Sequence, residues 1–150
     1  MGDTSSDRAA RAVANHVLEE TRVAYLTGDY ARFKACCHLP QLIGSFDGDR
    51  VISEDAELRA IFDRMTAFFG TEEVVDLHRT LIVAEFRGPD AVEATFVSKY
   101  LFKSGQLGEE TYAHGVLRRI DGTWKIAESR YASTYQAVTD VLIGKEPGDR

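Results

Sequence analysis

The 150-residue sequence predicts an α+β fold, with its helices grouped ahead of one long antiparallel meander. Three observations carry that prediction. Apolar residues recur at helical spacing up to Phe69, and from Glu73 onward the period changes to two. The pair Asp121-Gly122 then separates two β-rich runs, and Asp-Gly suits a two-residue turn in which both positions need positive φ.

In chain order, Ser5 or Ser6 is the expected cap of a first helix reaching about Thr27, with Val13, Val17, Leu18 and Ala24 on its apolar stripe. Gly28 ends it, and Asp29 caps a shorter helix, YARFKACCH, which Pro40 stops. The run QLIGSFDGDRVIS reads as a hairpin around Asp47-Gly48. Ser53 is the expected cap of a third helix, with Glu54 and Asp55 at its positive end. Along that helix Leu58, Ile61, Phe62, Met65, Phe68 and Phe69 form one core face, closed by Gly70. Val74–Phe86, Ala91–Lys103, Glu110–Ile120 and the strand after Gly122 make up the sheet, and 133–143 reads as a short final helix before a loose tail.

Composition narrows the function classes. An apolar fraction of 44% and aromatic fraction of 10% are those of an ordinary globular domain, so residues 1–150 are read as one domain. A net charge of −6 argues against a nucleic-acid partner, and no apolar run approaches the ~20 residues that span a bilayer. Cys36 and Cys37 are adjacent, which excludes a disulfide framework and makes a reducing cytoplasm the expected compartment. The four histidines are scattered without metal-ligand spacing, and no phosphate-binding glycine loop or nucleophile elbow occurs. No metal or cofactor is expected.

If Asp121-Gly122 is the loop, strict alternation places Leu117, Trp124, Ile126, Glu128 and Arg130 on one face. Extending the pairing sets Tyr100 beside Ala113, Ser98 beside Gly115 and Phe96 beside Leu117 on that same face. Small Ala113 and Gly115 then leave room between larger polar residues. The functional reading is a pocket with Glu128 as acid or base, Arg130 as anion stabiliser and Tyr100 as hydrogen-bond donor. The alternative is a structural Glu128–Arg130 ion pair. Either His78 or Arg79 points inward, because one residue of slip in the loop at Arg87–Asp90 exchanges the faces. If it is His78, it is a candidate base near Tyr100. Tyr25, one turn beyond Thr21, is a candidate for the pocket wall, with plain core packing as the alternative.

The order of elements, together with Leu-Arg-Arg-Ile-Asp-Gly-Thr-Trp-Lys-Ile near the end, resembles the nuclear transport factor two-like superfamily, and within it the SnoaL-like group. The resemblance covers about Asp7 to Ser133. It implies a cone-shaped, strongly curved mixed or antiparallel sheet with three helices on its concave face, the cystatin-like fold, and a ligand held in the cone. His38 would lie near the cone mouth. The ketosteroid isomerase pattern fails here: its tyrosine, base and oxyanion acid would fall near Thr21, Ser45 and Gly115, none of which can do that work. The SnoaL-like polyketide cyclases use a carboxylate from the closing strands, for which Glu128 is the nearest equivalent.

Two functions therefore stand open: a cofactor-independent cyclase, isomerase or dehydratase acting on a hydrophobic small molecule, and a non-catalytic ligand-binding or accessory domain. An anion against Arg130 would indicate an acidic substrate; an apolar molecule against Phe96 and Trp124 would indicate a polyketide-like one. The outer sheet face, with Val97, Leu101, Tyr112, Val116, Ala127 and Tyr131, predicts a homodimer, unless the final helix covers it.

Overall fold

A computed structural model describes residues 4–45 and 48–132. Its elements are α1 (Ser5–Thr27), α2 (Tyr30–Ala35), β1 (Cys37–Ser45), β2 (Gly48–Ile52), α3 (Asp55–Thr71), β3 (Val74–Phe86), β4 (Ala91–Phe102), β5 (Thr111–Ile120) and β6 (Thr123–Ala132). The strands form a single mixed sheet in the order β2-β1-β6-β5-β4-β3, antiparallel except for the β1–β6 pair. The helices pack on one face of it, as an α+β fold requires.

Capping chemistry sets the helix ends. Thr4, one residue before the expected caps, accepts from the Asp7 amide at 3.0 Å, and the Asp7 carboxylate accepts from the Thr4 amide. A carboxylate three residues on, able to accept from the cap amide, made Thr4 the better cap than Ser5 or Ser6, which have Arg8 and Ala9 there. Gly28, at φ 69, closes α1 in the left-handed conformation. The Asp29 cap forms as expected, but α2 stops at Ala35, and Cys37–Ser45 is strand through a cis Leu39-Pro40 bond. At the third helix Glu54 is the cap in place of Ser53, since Glu57 reaches back to its amide, and the helix runs past Gly70 to Thr71.

The core divides in two. Leu58, Ile61, Phe62, Met65, Phe68 and Phe69 of α3 join Ala24, Phe33 and Leu77 in the larger cluster. Each of the large side chains among them contributes about 1.5–3 kcal/mol of burial free energy. Ala10, Ala14 and Val17 of α1 pack against Leu81, Ala84, Val92 and Leu117 in the second. Among the described residues no helix is long and apolar enough to cross a membrane.

Among the antiparallel pairs, sheet register departs from strict alternation at three places. One residue is extra in β3 between Val74 and Asp76, another between Leu81 and Val83. In β6 the pairing passes from Leu117↔Ile126 to Val116↔Glu128, so Ala127 is extra. The β4–β5 pairing is also offset by four residues from the expected one: Phe96 lies opposite Ala113 and Ser98 opposite Thr111. The loop takes up the difference, through Gly108 N–H to Tyr100 O at 2.8 Å and a bridge between Leu101 and Leu107. An even offset leaves faces unchanged, so Phe96, Ser98 and Tyr100 still point inward. The expected final helix at 133–143 and the turn residues 46–47 lie outside the described residues.

Candidate functional site

A cavity of about 60 Å³ lies between the sheet and the helices. Ala14, Val17, Leu18, Thr21 and Tyr25 come from α1, Leu58 and Ile61 from α3, and Ala94, Phe96, Gly115, Leu117 and Ile126 from the sheet. Its polar members are Thr21, Tyr25, Cys37, Gln41, Arg79, Ser129 and Tyr131. A smaller chamber of about 30 Å³ adjoins it, bounded by Ser98, Tyr100, Thr111 and Met65. Tyr25, Arg79 and Tyr131 border both chambers.

The bulge at Ala127 decides what faces this space. One inserted residue exchanges the faces of everything after it. Ser129, opposite Gly115, and Tyr131, opposite Ala113, therefore line the cavity. Glu128 and Arg130, opposite Val116 and His114, turn to the outer face. This corrects the expected pocket built on Glu128 and Arg130. The cause is visible at the other edge of β6. The Ile126 amide donates to Cys36 O at 2.7 Å, and Ile126 O accepts from the Gln41 side chain at 3.0 Å. The parallel β1–β6 register slips between Cys37↔Ile126 and Leu42↔Glu128, so both strands are irregular at the same point. Arg130 pairs with Asp49 at 3.2 Å across buried Gly44, where any Cβ would meet both side chains; it makes no ion pair with Glu128.

The parity left open in β3 resolves in favour of arginine. Arg79 lies opposite Ser98 and borders both chambers, whereas His78 is exposed beside Lys99 on the other face. His78 is thus removed from Tyr100 and from the cavity. His38 is in β1, its Nδ1 3.0 Å from Pro40 O, and does not line the cavity. Trp124 faces inward but packs on Phe86 at 6.2 Å under the Arg119 guanidinium, away from the cavity wall. Tyr25, Phe96, Ser98 and Tyr100 are the expected residues that the fold does bring around this space.

Arg79 is the electrostatic centre of the site. Its Nη1 donates to Thr21 Oγ1 at 2.6 Å and to Leu18 O at 3.1 Å, and its guanidinium lies 5.6 Å from the Phe96 ring. The Nε is buried with no hydrogen-bond partner. Burial pushes the phenols of Tyr25 and Tyr131 up from their ordinary range, the nearby Arg79 charge opposing it in both. Burial likewise pushes the Cys37 thiol up to about 12, against a hydrogen bond from Gln41. All three groups remain protonated at neutral pH, so the phenols are hydrogen-bond donors and the thiol is not a nucleophile. Among the described residues, the lining of both chambers holds no carboxylate and no imidazole. Such a wall can bind and orient a ligand, but it offers no ordinary general base at neutral pH.

Arg79, Ser129 and Tyr131 are the residues that alternation alone left open or placed outside. A signal for the last two was present: straight alternation buries two charges, Glu128 and Arg130, and exposes Tyr131. A bulge reverses that unfavourable choice.

No protein-family model matches the chain, and no curated protein does either. Solved structures do. A domain of unknown function with a cystatin-like fold from Nostoc punctiforme aligns with TM-score 0.66 at 13% identity, over 89% of this chain and 82% of that one. A nuclear transport factor two-like protein with a cystatin-like fold from Novosphingobium aromaticivorans gives 0.64 at 14% identity, over 89% of each chain. A protein provisionally named a ketosteroid isomerase, from Shewanella frigidimarina, gives 0.59 at 17%, over 79% of this chain and 94% of that one. At such identities the likeness concerns the backbone, and it agrees with the sheet order and helix placement described above. The chain has the nuclear transport factor two-like, cystatin-like fold.

Proposed function

We propose that this protein binds a small, mainly apolar molecule in the cavity between α1, α3 and the sheet, without carboxylate- or histidine-based acid–base chemistry. One observation carries the reading: the wall joins an apolar surface to a single guanidinium and several hydroxyls, with no carboxylate or imidazole among its described residues. An apolar wall with a few convergent polar groups is the usual lining of a small-molecule site. Of the two functions left open by the sequence, this supports the binding or accessory domain over the cyclase, isomerase or dehydratase. The volume, about 60 Å³, corresponds to roughly four water molecules, which limits the ligand to a few non-hydrogen atoms unless the walls move apart. Titration with isobutanol, followed by methyl NMR, tests it. Saturable shifts confined to Ala14, Ala94, Leu117 and Ile126 are expected; shifts scattered over the surface would refute it.

A homodimer through the outer sheet face remains our proposal for assembly. Val97, Leu101 and Val116 share that face with Tyr112, whose side chain is left substantially open. The bulge removes Tyr131 from this surface and adds Glu128 and Arg130 to it. Cys36 and Cys37 are free and buried, which supports a reducing compartment such as the cytoplasm.

A further inference from the structure

We infer that the cavity takes a short-chain monocarboxylate, held side-on by the Nε–Nη2 edge of Arg79. The inference rests on the cavity being a binding site, and it names the class of ligand.

A guanidinium presents five N–H donors in a fixed fork, and it stays charged at any physiological pH. In Arg79 the two Nη1 protons are committed to α1, one to Leu18 O and one to Thr21 Oγ1. The opposite edge carries Nε–H and one Nη2–H, parallel and spaced to match the two oxygens of a carboxylate. Nε is buried and unpartnered, and Nη2 has no partner among the described residues.

The same protein shows what that edge ordinarily holds. Arg32 donates from Nε and Nη2 to the two oxygens of Glu20, each at 3.0 Å. Arg22 sets both nitrogens on Asp76 at 2.9 and 2.8 Å, and Arg119 does so on Asp90 at 2.9 and 2.8 Å. Each of those edges is closed by a carboxylate of the chain. At Arg79 the Nε of that edge has no carboxylate or other partner, the side chain borders both chambers, and the nearest acidic group on its own strand, Asp76, is already taken by Arg22.

A buried donor nitrogen left without a partner is an unfavourable arrangement that an incoming acceptor relieves. One guanidinium balances one negative charge, which favours a monocarboxylate over a dianionic phosphate. Phenols that burial keeps protonated, Tyr25 and Tyr131, stand beside Arg79 as donors to the remaining oxygen lone pairs. The chain of the ligand would lie on Phe96, Leu117 and Ile61, where a volume of about 60 Å³ accepts three or four carbons.

Calorimetric titration with butyrate, butyramide and isobutanol at fixed ionic strength tests this. Butyrate should bind at least about tenfold more tightly than butyramide, since charge-assisted paired bonds are the strong ones. Arg79→Lys keeps the charge and loses the fork; it should weaken butyrate by about tenfold or more, and isobutanol, which makes no paired bonds, by much less. In the native protein the Arg79 Nε–H resonance should move with butyrate and stay with butyramide, a readout that needs no variant. Equal affinity for butyrate and butyramide, or an unmoved Nε–H resonance, overturns the inference. If isobutanol still binds in that case, the cavity remains a binding site for neutral molecules. If no probe binds, both proposals fail together.

Discussion

The Nη1 of Arg79 donates to the hydroxyl of Thr21 at 2.6 Å, and that hydroxyl in turn lies 3.0 Å from Val17 O as donor. A strand residue is thereby tied to the helix that covers it, through an oxygen in the middle of α1. The bond also commits Nη1 to α1 and leaves Nε as the unpartnered nitrogen. Thr21 is thus a positioning residue, although a threonine there is a poor donor by the isomerase pattern.

Thr21→Val keeps the shape and removes the acceptor. Leaving the Arg79 donor unpaired should lower stability by about 1–3 kcal/mol, whereas Thr21→Ser should cost less than about 1 kcal/mol. Urea unfolding measures both, and an unchanged slope with a lower midpoint is the expected signature.

Gly115→Ala places a methyl into the cavity, 3.6 Å from the nearest atom, Glu128 O. That is ordinary contact, and alanine in a strand restricts the unfolded chain, so stability should rise by about 0.5–1 kcal/mol. Isobutanol affinity should fall in the same protein. A gain in stability with undiminished binding would place the ligand elsewhere.

Neighbouring residues on β6 should behave oppositely. Glu128→Gln on the outer face should alter stability by no more than about 0.5 kcal/mol and leave probe binding intact. Ser129→Leu fills the cavity, so it should abolish probe binding and cost about 1–3 kcal/mol through overpacking. Thermal melts and the isobutanol titration together measure the contrast.

How legible the molecule was follows from these residues. Period and capping chemistry were enough for the helix core face from Leu58 to Phe69, for the inward Phe96 and Tyr100, and for the Asp121-Gly122 turn, because each depends on neighbours in sequence. The cavity wall depends on Ala127, whose extra place in β6 accompanies bonds from its neighbour Ile126 to Cys36, at the end of α2, and Gln41 of β1, both far away in the chain. A local rule carries no information about such a partner. The burial of two charges that strict alternation demanded was the one local sign that it had failed.

Alkaline pH should destabilise the fold. Cys37 titrates near 12 when folded and near 9.0 when unfolded, and the folded phenols of Tyr25 and Tyr131 are raised above 10.0. The unfolded chain therefore releases protons first. Stability is fully present below pH 9 and falls as the pH rises towards 12, by up to about 1.4 kcal/mol per unit for each group involved. Cys37→Ala should flatten the fall between pH 9 and 10, measured by urea midpoints across the range.

Sedimentation equilibrium tests assembly. A dimer mass at micromolar concentration is expected, and Tyr112→Lys should shift the equilibrium to monomer, because aromatic residues tend to dominate such interfaces. A single monomeric species for the native protein would refute the dimer.

A crystal structure determined under xenon pressure tests the central claim most directly. Xenon occupies apolar cavities of this kind without requiring a polar contact. The account predicts a xenon atom between Phe96, Leu117 and Tyr131, with Ser129 on the same wall and the Glu128 carboxylate on the opposite face of the sheet. A Glu128 carboxylate pointing into the cone, or side chains filling the space so that no xenon enters, would contradict it.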